Sequence, residues 1–185
     1  MLQHLSLTHI WIAFSCCLAV TIITTIVMLV QARHFYHQEG RELRRFSIMK
    51  LEWPADRFAM ITLIIKIGQL PEWHRARVLR ALRGQLFVDF LYMPATYGGI
   101  FLLCRAAAYT YYEWEDLLTY LGWLQALCWL CDIIENFYIL RKIKQPVVSS
   151  EFVFMGYRLV EIIKWGVASA AVFLAVSGLL LSLLR

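Results

Sequence analysis

Seven polar side chains stand inside apolar stretches of this sequence: Asp89, Tyr92, Asp132, Glu135, Asn136, Glu161 and Lys164. A charge at bilayer depth costs about 2.5–3.5 kcal/mol on insertion scales, so such residues turn inward, where they pair, relay protons or hold ligands. Helical spacing gathers them into stripes. Asp89, Tyr92 and Thr96 share one face, Gln125, Cys128, Asp132, Glu135 and Asn136 a second, and Tyr157, Glu161, Lys164 and Ala168 a third. Measured from the basic end of each stretch, the five charged members lie ~6–18 Å deep at 1.5 Å per residue. Four carboxylates, Asp89, Asp132, Glu135 and Glu161, face Lys164 and at most one further cation, Arg158. A dry pocket does not carry two surplus negative charges. Protonated carboxyls, water, a cation or a cationic ligand are therefore expected there. The competing expectation is a hydrogen-bonded network that serves helix packing alone.

Other chemistries lack their residues. A di-iron carboxylate centre wants Glu-x-x-His pairs, and no histidine falls in the stripes. His9 lies at one end of the first apolar run and His34 and His37 at the other, so a bis-histidine haem has no facing partners. Cys128 and Cys131 form C-x-x-C inside an apolar run, where small residues serve packing. No P-loop, nucleophile elbow or His-Glu-x-x-His occurs. Asp89, Asp132 and Glu135 offer hard-ion ligands only in a weak pattern, so neither a metal nor a cofactor is assigned.

The elements that must position these residues are legible in the hydropathy. The chain of 185 residues is 61% hydrophobic with mean hydropathy +0.61, well above soluble domains. Crossing a bilayer takes about 20 apolar residues as a helix, and four runs qualify: 7–30, 85–108, 117–140 and 152–184. The first has no Lys, Arg, Asp or Glu and no small-x-small cleavage pattern, so a retained anchor is expected rather than a leader. The predicted fold is all-α: a single membrane-embedded four-helix bundle spanning 1–185.

Charge orients it. Eleven of the eighteen basic residues fall between the first two runs, and Arg141, Lys142 and Lys144 lie between the last two. The remaining turn, 109–116, reads Tyr-Thr-Tyr-Tyr-Glu-Trp-Glu-Asp. Both basic loops are therefore expected in the cytoplasm and both termini outside it. Within 32–84, Pro54 at a first turn, apolar Phe58, Ile61, Ile64 and Ile65, and Gly68 as a stop predict a short interfacial helix over 54–67. Its basic neighbours suit anionic lipid headgroups. Pro71 and Glu72 should open a helix continuous with the second run. No nucleic-acid-binding motif accompanies the basic residues, so nucleic acid is not an expected partner.

Asp89-Phe90-Leu91-Tyr92-Met93-Pro94-Ala95-Thr96-Tyr97, then Asp132-Ile133-Ile134-Glu135-Asn136, then Lys164, with Leu51-Glu52 and Trp73 upstream, resembles a family of small bacterial four-helix integral membrane proteins of uncharacterised function. The resemblance covers roughly residues 47–180. It implies that Asp89, Asp132, Glu135, Asn136 and Lys164 belong together; a bacterial inner membrane is the expected location. It carries no activity. The leading expectation is a cytoplasm-facing polar pocket, lined by Asp89, Tyr92, Asp132, Glu135, Asn136, Glu161 and Lys164, that binds a small charged ligand, cation or lipid headgroup. The alternatives are an accessory subunit docked on a larger membrane protein or a second copy of itself, and a lipid-active enzyme with Lys164 and the carboxylates as acid and base.

Overall fold

The computed structural model describes residues 6–184. Its elements run α1 (Leu7–Ala32), β1 (Tyr36–Glu39), β2 (Glu42–Arg45), α2 (Met49–Glu52), α3 (Ala59–Gly68), α4 (Glu72–Thr110), α5 (Glu115–Lys144) and α6 (Glu151–Leu183). Helices α1, α4, α5 and α6 are each long and apolar enough to cross a membrane. The protein is a membrane-integral, all-α four-helix bundle.

These helices form for reasons the local sequence supplies. The run Thr21-Ile22-Ile23-Thr24-Thr25-Ile26-Val27 is β-branched and a poor helix former in water, yet it lies inside α1. Lipid offers no partner for backbone N–H and C=O groups, so a spanning segment must satisfy them internally. Pro71 precedes α4, and its carbonyl accepts from the N–H of Arg75 at 2.9 Å. Glu115 and Asp116 open α5, while Arg141, Lys142 and Lys144 close it, each sign matching the helix dipole. The Ser150 carbonyl takes the Phe154 N–H at 3.1 Å at the start of α6.

The chain divides into two compact units. The first comprises the described part of Met1–Ile23, with Leu91–Asp132 and the described part of Ile162–Arg185. Its core is built from small residues: Cys104, Ala107, Ala108, Ala171 and Ala175 pack with Leu118. A Cβ on Gly99 would lie 3.5 Å from Cys17 Cβ, and one on Gly178 would meet Leu118 at 3.7 Å and Ala107 at 3.8 Å. Small residues let helices approach where no hydrophobic effect drives them together.

The second unit comprises Thr24–Phe90 and Ile133–Glu161. Its core is bulky: Phe35, Leu51, Ile67, Leu82, Leu86 and Ile139 are buried together. The 54–67 helix begins later than its sequence suggests. Asp56 Oδ1 accepts from the N–H groups of Phe58 and Ala59 at 2.7 and 2.8 Å, so the chain turns helical only at Ala59 and Pro54 stays outside. Ile61 and Ile64 of α3 are buried, whereas Ile65 on it and Phe58 just before it are half-exposed. An antiparallel hairpin also occupies 36–45, pairing Tyr36 with Arg45 and Glu39 with Glu42. Gly40 has φ +61°, which its two-residue turn demands. The stacked rings of Phe35 and Phe46, 5.3 Å apart, anchor its open end.

Candidate functional site

In the first unit, α4, α5 and α6 each give one polar side chain to a common point. Asp132 Oδ2 accepts from the Tyr97 hydroxyl at 2.6 Å, and its Oδ1 takes the ammonium of Lys164 in a salt bridge. The Lys164 side chain is 3% exposed and that of Asp132 16%. Lys164 also lies over the Trp165 ring, 5.7 Å from its centroid. Cys128, one turn before Asp132, contacts the Lys164 carbonyl through its thiol at 3.8 Å. The helical phases explain the meeting. Gln125, Cys128 and Asp132 recur on one face of α5, and Lys164, Ala168, Ala171 and Ala175 on one face of α6. Pairing turns two charges that are each expensive in lipid into one neutral, hydrogen-bonded group.

Beside this pair lies a groove of about 220 Å³ lined by α4 and α5. Pro94, Gly98 and Gly122 leave the space, and Phe101, Trp123 and Trp129 wall it with rings. Tyr97, whose hydroxyl holds Asp132, lines the same groove. Gln125 lines it too and is 1% exposed. Its amide donates to the Leu121 carbonyl at 3.0 Å, while Oε1 is buried with no hydrogen-bond partner among the described residues. A buried acceptor left unmade costs about 1–3 kcal/mol, so this oxygen calls for a donor.

The second unit holds the other carboxylates. Asn136 donates to Asp89 Oδ2 at 2.7 Å. Glu135 and Glu161 are 5% and 1% exposed, and each has a carboxylate oxygen within 4.8 Å of the other's. The Tyr157 hydroxyl reaches three acceptors: the Glu52 carbonyl at 2.9 Å, Glu135 Oε1 at 3.3 Å and the Leu51 carbonyl at 3.4 Å. Arg158 turns from the carboxylates. Its guanidinium donates to the Pro54 carbonyl at 2.7 Å and lies 5.5 Å from the Trp53 ring centroid.

Of the residues singled out from sequence, Asp132 and Lys164 meet directly, as do Asp89 and Asn136, and Glu135 lies beside Glu161. Tyr92 joins none of them: it is half-buried, and no hydrogen bond of its side chain is found among the described residues. Tyr97, not picked as a site residue, takes that role, five residues and therefore 140° further round the helix. Its signal was the spacing to Met93 and Cys104, which place Tyr97 on the most buried line of α4. Tyr157 was placed on the α6 stripe but given no role; its three acceptors show one. Comparison with protein-family models, curated proteins and solved structures finds no match.

Proposed function

We propose that this protein binds an amphipathic lipid in the groove between α4 and α5, with the first polar group of that lipid donating to Gln125. The observation that carries this is the buried, partnerless Oε1 of Gln125 in a groove otherwise walled by aromatic rings. The surroundings favour lipid over a water-borne ligand: Trp123 and Trp129 are 58% and 40% exposed on helices that cross the bilayer. At about 220 Å³ the groove is smaller than typical pockets for whole organic ligands, so it takes a segment of acyl or prenyl chain and one hydroxyl or amide. The Asp132–Lys164 pair, tied to the groove through Tyr97, gives the headgroup a polar neighbour of balanced charge. The uneven distribution of basic residues favours an arrangement with 33–80 and 141–150 in the cytoplasm and both termini outside, and the resemblance to small bacterial membrane proteins favours the inner membrane.

The test uses detergent-extracted full-length protein and native mass spectrometry of co-purified lipid. Gln125→Leu keeps the bulk and removes the orphan acceptor. Wild type should carry lipid, and the variant should lose it while melting at the same temperature or higher. Lipid retained equally by the variant would reject the reading. Aggregation of both proteins unless another membrane protein is co-expressed would favour the accessory-subunit alternative.

A second reading is supported by Glu135 and Glu161: a site for a proton or a cation. Two carboxylates within 4.8 Å in low dielectric are accommodated when one holds a proton or a cation lies between them. Tyr157 has one hydroxyl proton for three acceptors. With that proton on the nearest, the Glu52 carbonyl, its contact with Glu135 is completed by a proton carried on Glu135. Neutralising Glu161 tests this reading.

A further inference from the structure

Between the first and second spans, a polar cavity of about 290 Å³ opens in the second unit. Its walls come from β1, α2 and α3 with the segment leading into α3: His37 and Glu39, then Lys50, then Asp56, and finally Thr62 and Lys66. We propose that this cavity binds a phosphate group, held by the ammonium groups of Lys50 and Lys66 and by the imidazole of His37.

The sign of the ligand follows from which charges are already engaged. Glu39 is met by three cationic or titratable groups: Arg44 from β2 at 3.1 Å, Lys66 at 3.8 Å and His37 Nε2 at 3.9 Å. Asp56 spends Oδ1 on the backbone N–H groups of Phe58 and Ala59. Both carboxylates thus have work within the fold. Among the described residues the ammonium of Lys50 takes part in no salt bridge, and that of Lys66 in one, its long contact to Glu39. His37 is 5% exposed, and its Nδ1 is buried with no hydrogen-bond partner among the described residues. Burial, and next the positive charge of Lys66, lower its proton affinity below the ordinary histidine value; Glu39 opposes this, Lys50 adds to it, and a backbone hydrogen bond to Arg44 opposes it. With its ring proton on Nδ1, a neutral imidazole donates to an anion, and beside two ammonium groups it completes an anion cradle. A divalent cation would have to displace Arg44 and Lys66 from Glu39 and sit against two lysines.

A phosphate can arrive from two sources, a lipid headgroup or the aqueous phase. Membrane supply has structural support: Phe58, which lines the cavity just before α3, and Ile65 on α3 are 52% and 50% exposed. Arg57 stacks on the Phe58 ring at 4.9 Å, an amphipathic pair suited to the headgroup layer. Eleven basic residues against five acidic ones in 33–84 draw anions to this face.

The experiment measures binding of radiolabelled inorganic phosphate and of short-chain phosphatidic acid to the full-length protein in neutral detergent. Either probe binding supports the site. Binding of phosphatidic acid alone assigns it to a headgroup, and equal binding of both assigns it to free phosphate. Lys50→Gln with Lys66→Gln should weaken binding by about tenfold or more, as the loss of charge-assisted contacts does. Glu39→Gln should act in the opposite direction, since it removes a negative charge from the cavity wall and releases Lys66 for the anion. That rise in affinity cannot come from a misfolded protein. The proposal is overturned if neither probe binds, if the lysine variant binds like wild type, or if Glu39→Gln weakens binding.

Discussion

Lys164 and Glu161 lie one helical turn apart on α6, both nearly solvent-free, and removing their charges should have opposite consequences. Lys164→Met takes the counter-ion from Asp132, whose side chain is only 16% exposed. Breaking a buried pair from one side costs about 3–5 kcal/mol, because the remaining charge is left in low dielectric. Glu161→Gln instead relieves repulsion between two carboxylates within 4.8 Å. We expect thermal unfolding in detergent at neutral pH to begin well below wild type for Lys164→Met, and at or above wild type for Glu161→Gln. The Glu161 variant should also lose any shift of the melting temperature with monovalent or divalent cations. A melting temperature lowered as much by Glu161→Gln as by Lys164→Met would mean that Glu161 serves packing and holds neither proton nor cation.

At the scale of elements, the crossing of α1 with α4 in the first unit rests on absent side chains. Cys17 faces Gly98 and Gly99, and the Thr21 and Thr96 hydroxyls lie 3.4 Å apart on the same contact. A Cβ on Gly99 would stand 3.5 Å from Cys17 Cβ, at the short end of the range disulfides accept. Gly99→Cys should therefore cross-link to Cys17 under mild oxidation in membranes, read as a mobility change that reductant reverses. Cys17→Ala in the same background should abolish it. Cross-linking through Cys16, which is exposed, would contradict the helix phase described for α1. Gly122 is a second close approach: a Cβ there would meet Phe101 Cδ2 at 3.2 Å, so this glycine keeps the aromatic groove open.

For the whole molecule the open quantity is its orientation in the bilayer. Fourteen basic residues lie between the first and second or the third and fourth apolar runs, while Glu113 in the turn from α4 to α5 and Glu115 and Asp116 at the start of α5 stand beside Tyr111, Tyr112 and Trp114. Moving Lys and Arg across a membrane is what the insertion machinery resists, so the basic loops should remain in the cytoplasm. Single cysteines introduced into a cysteine-free background at Arg41 and Gln145 should resist an impermeant maleimide in intact cells, and one at Tyr112 should react. The reverse pattern would invert the topology and put the phosphate cavity on the other face.

Hydropathy and charge alone determined the class of fold, the four spans and the uninterrupted entry from Pro71 into α4. The reason is that lipid imposes one requirement on every spanning residue, an internally satisfied backbone, and a linear sequence records that without reference to neighbours. The sequence also marked the buried polar stripes of α5 and α6, whereas on α4 the buried line runs through Met93, Tyr97 and Cys104 rather than Asp89, Tyr92 and Thr96. Partner choice was decided by tertiary structure. Tyr97 rather than Tyr92 reaches Asp132 because only the position of α5 beside α4 selects among the faces a helix offers. Arg158 could have been a counter-ion, and the backbone carbonyl of Pro54 took it instead. The 36–45 hairpin escaped notice because its polar strands carry no alternating pattern, and its stability comes from Phe35 and Phe46 packing against residues distant in the chain. The aromatic groove and the phosphate cavity were likewise illegible, because an empty space belongs to no residue and exists only between elements once they are packed.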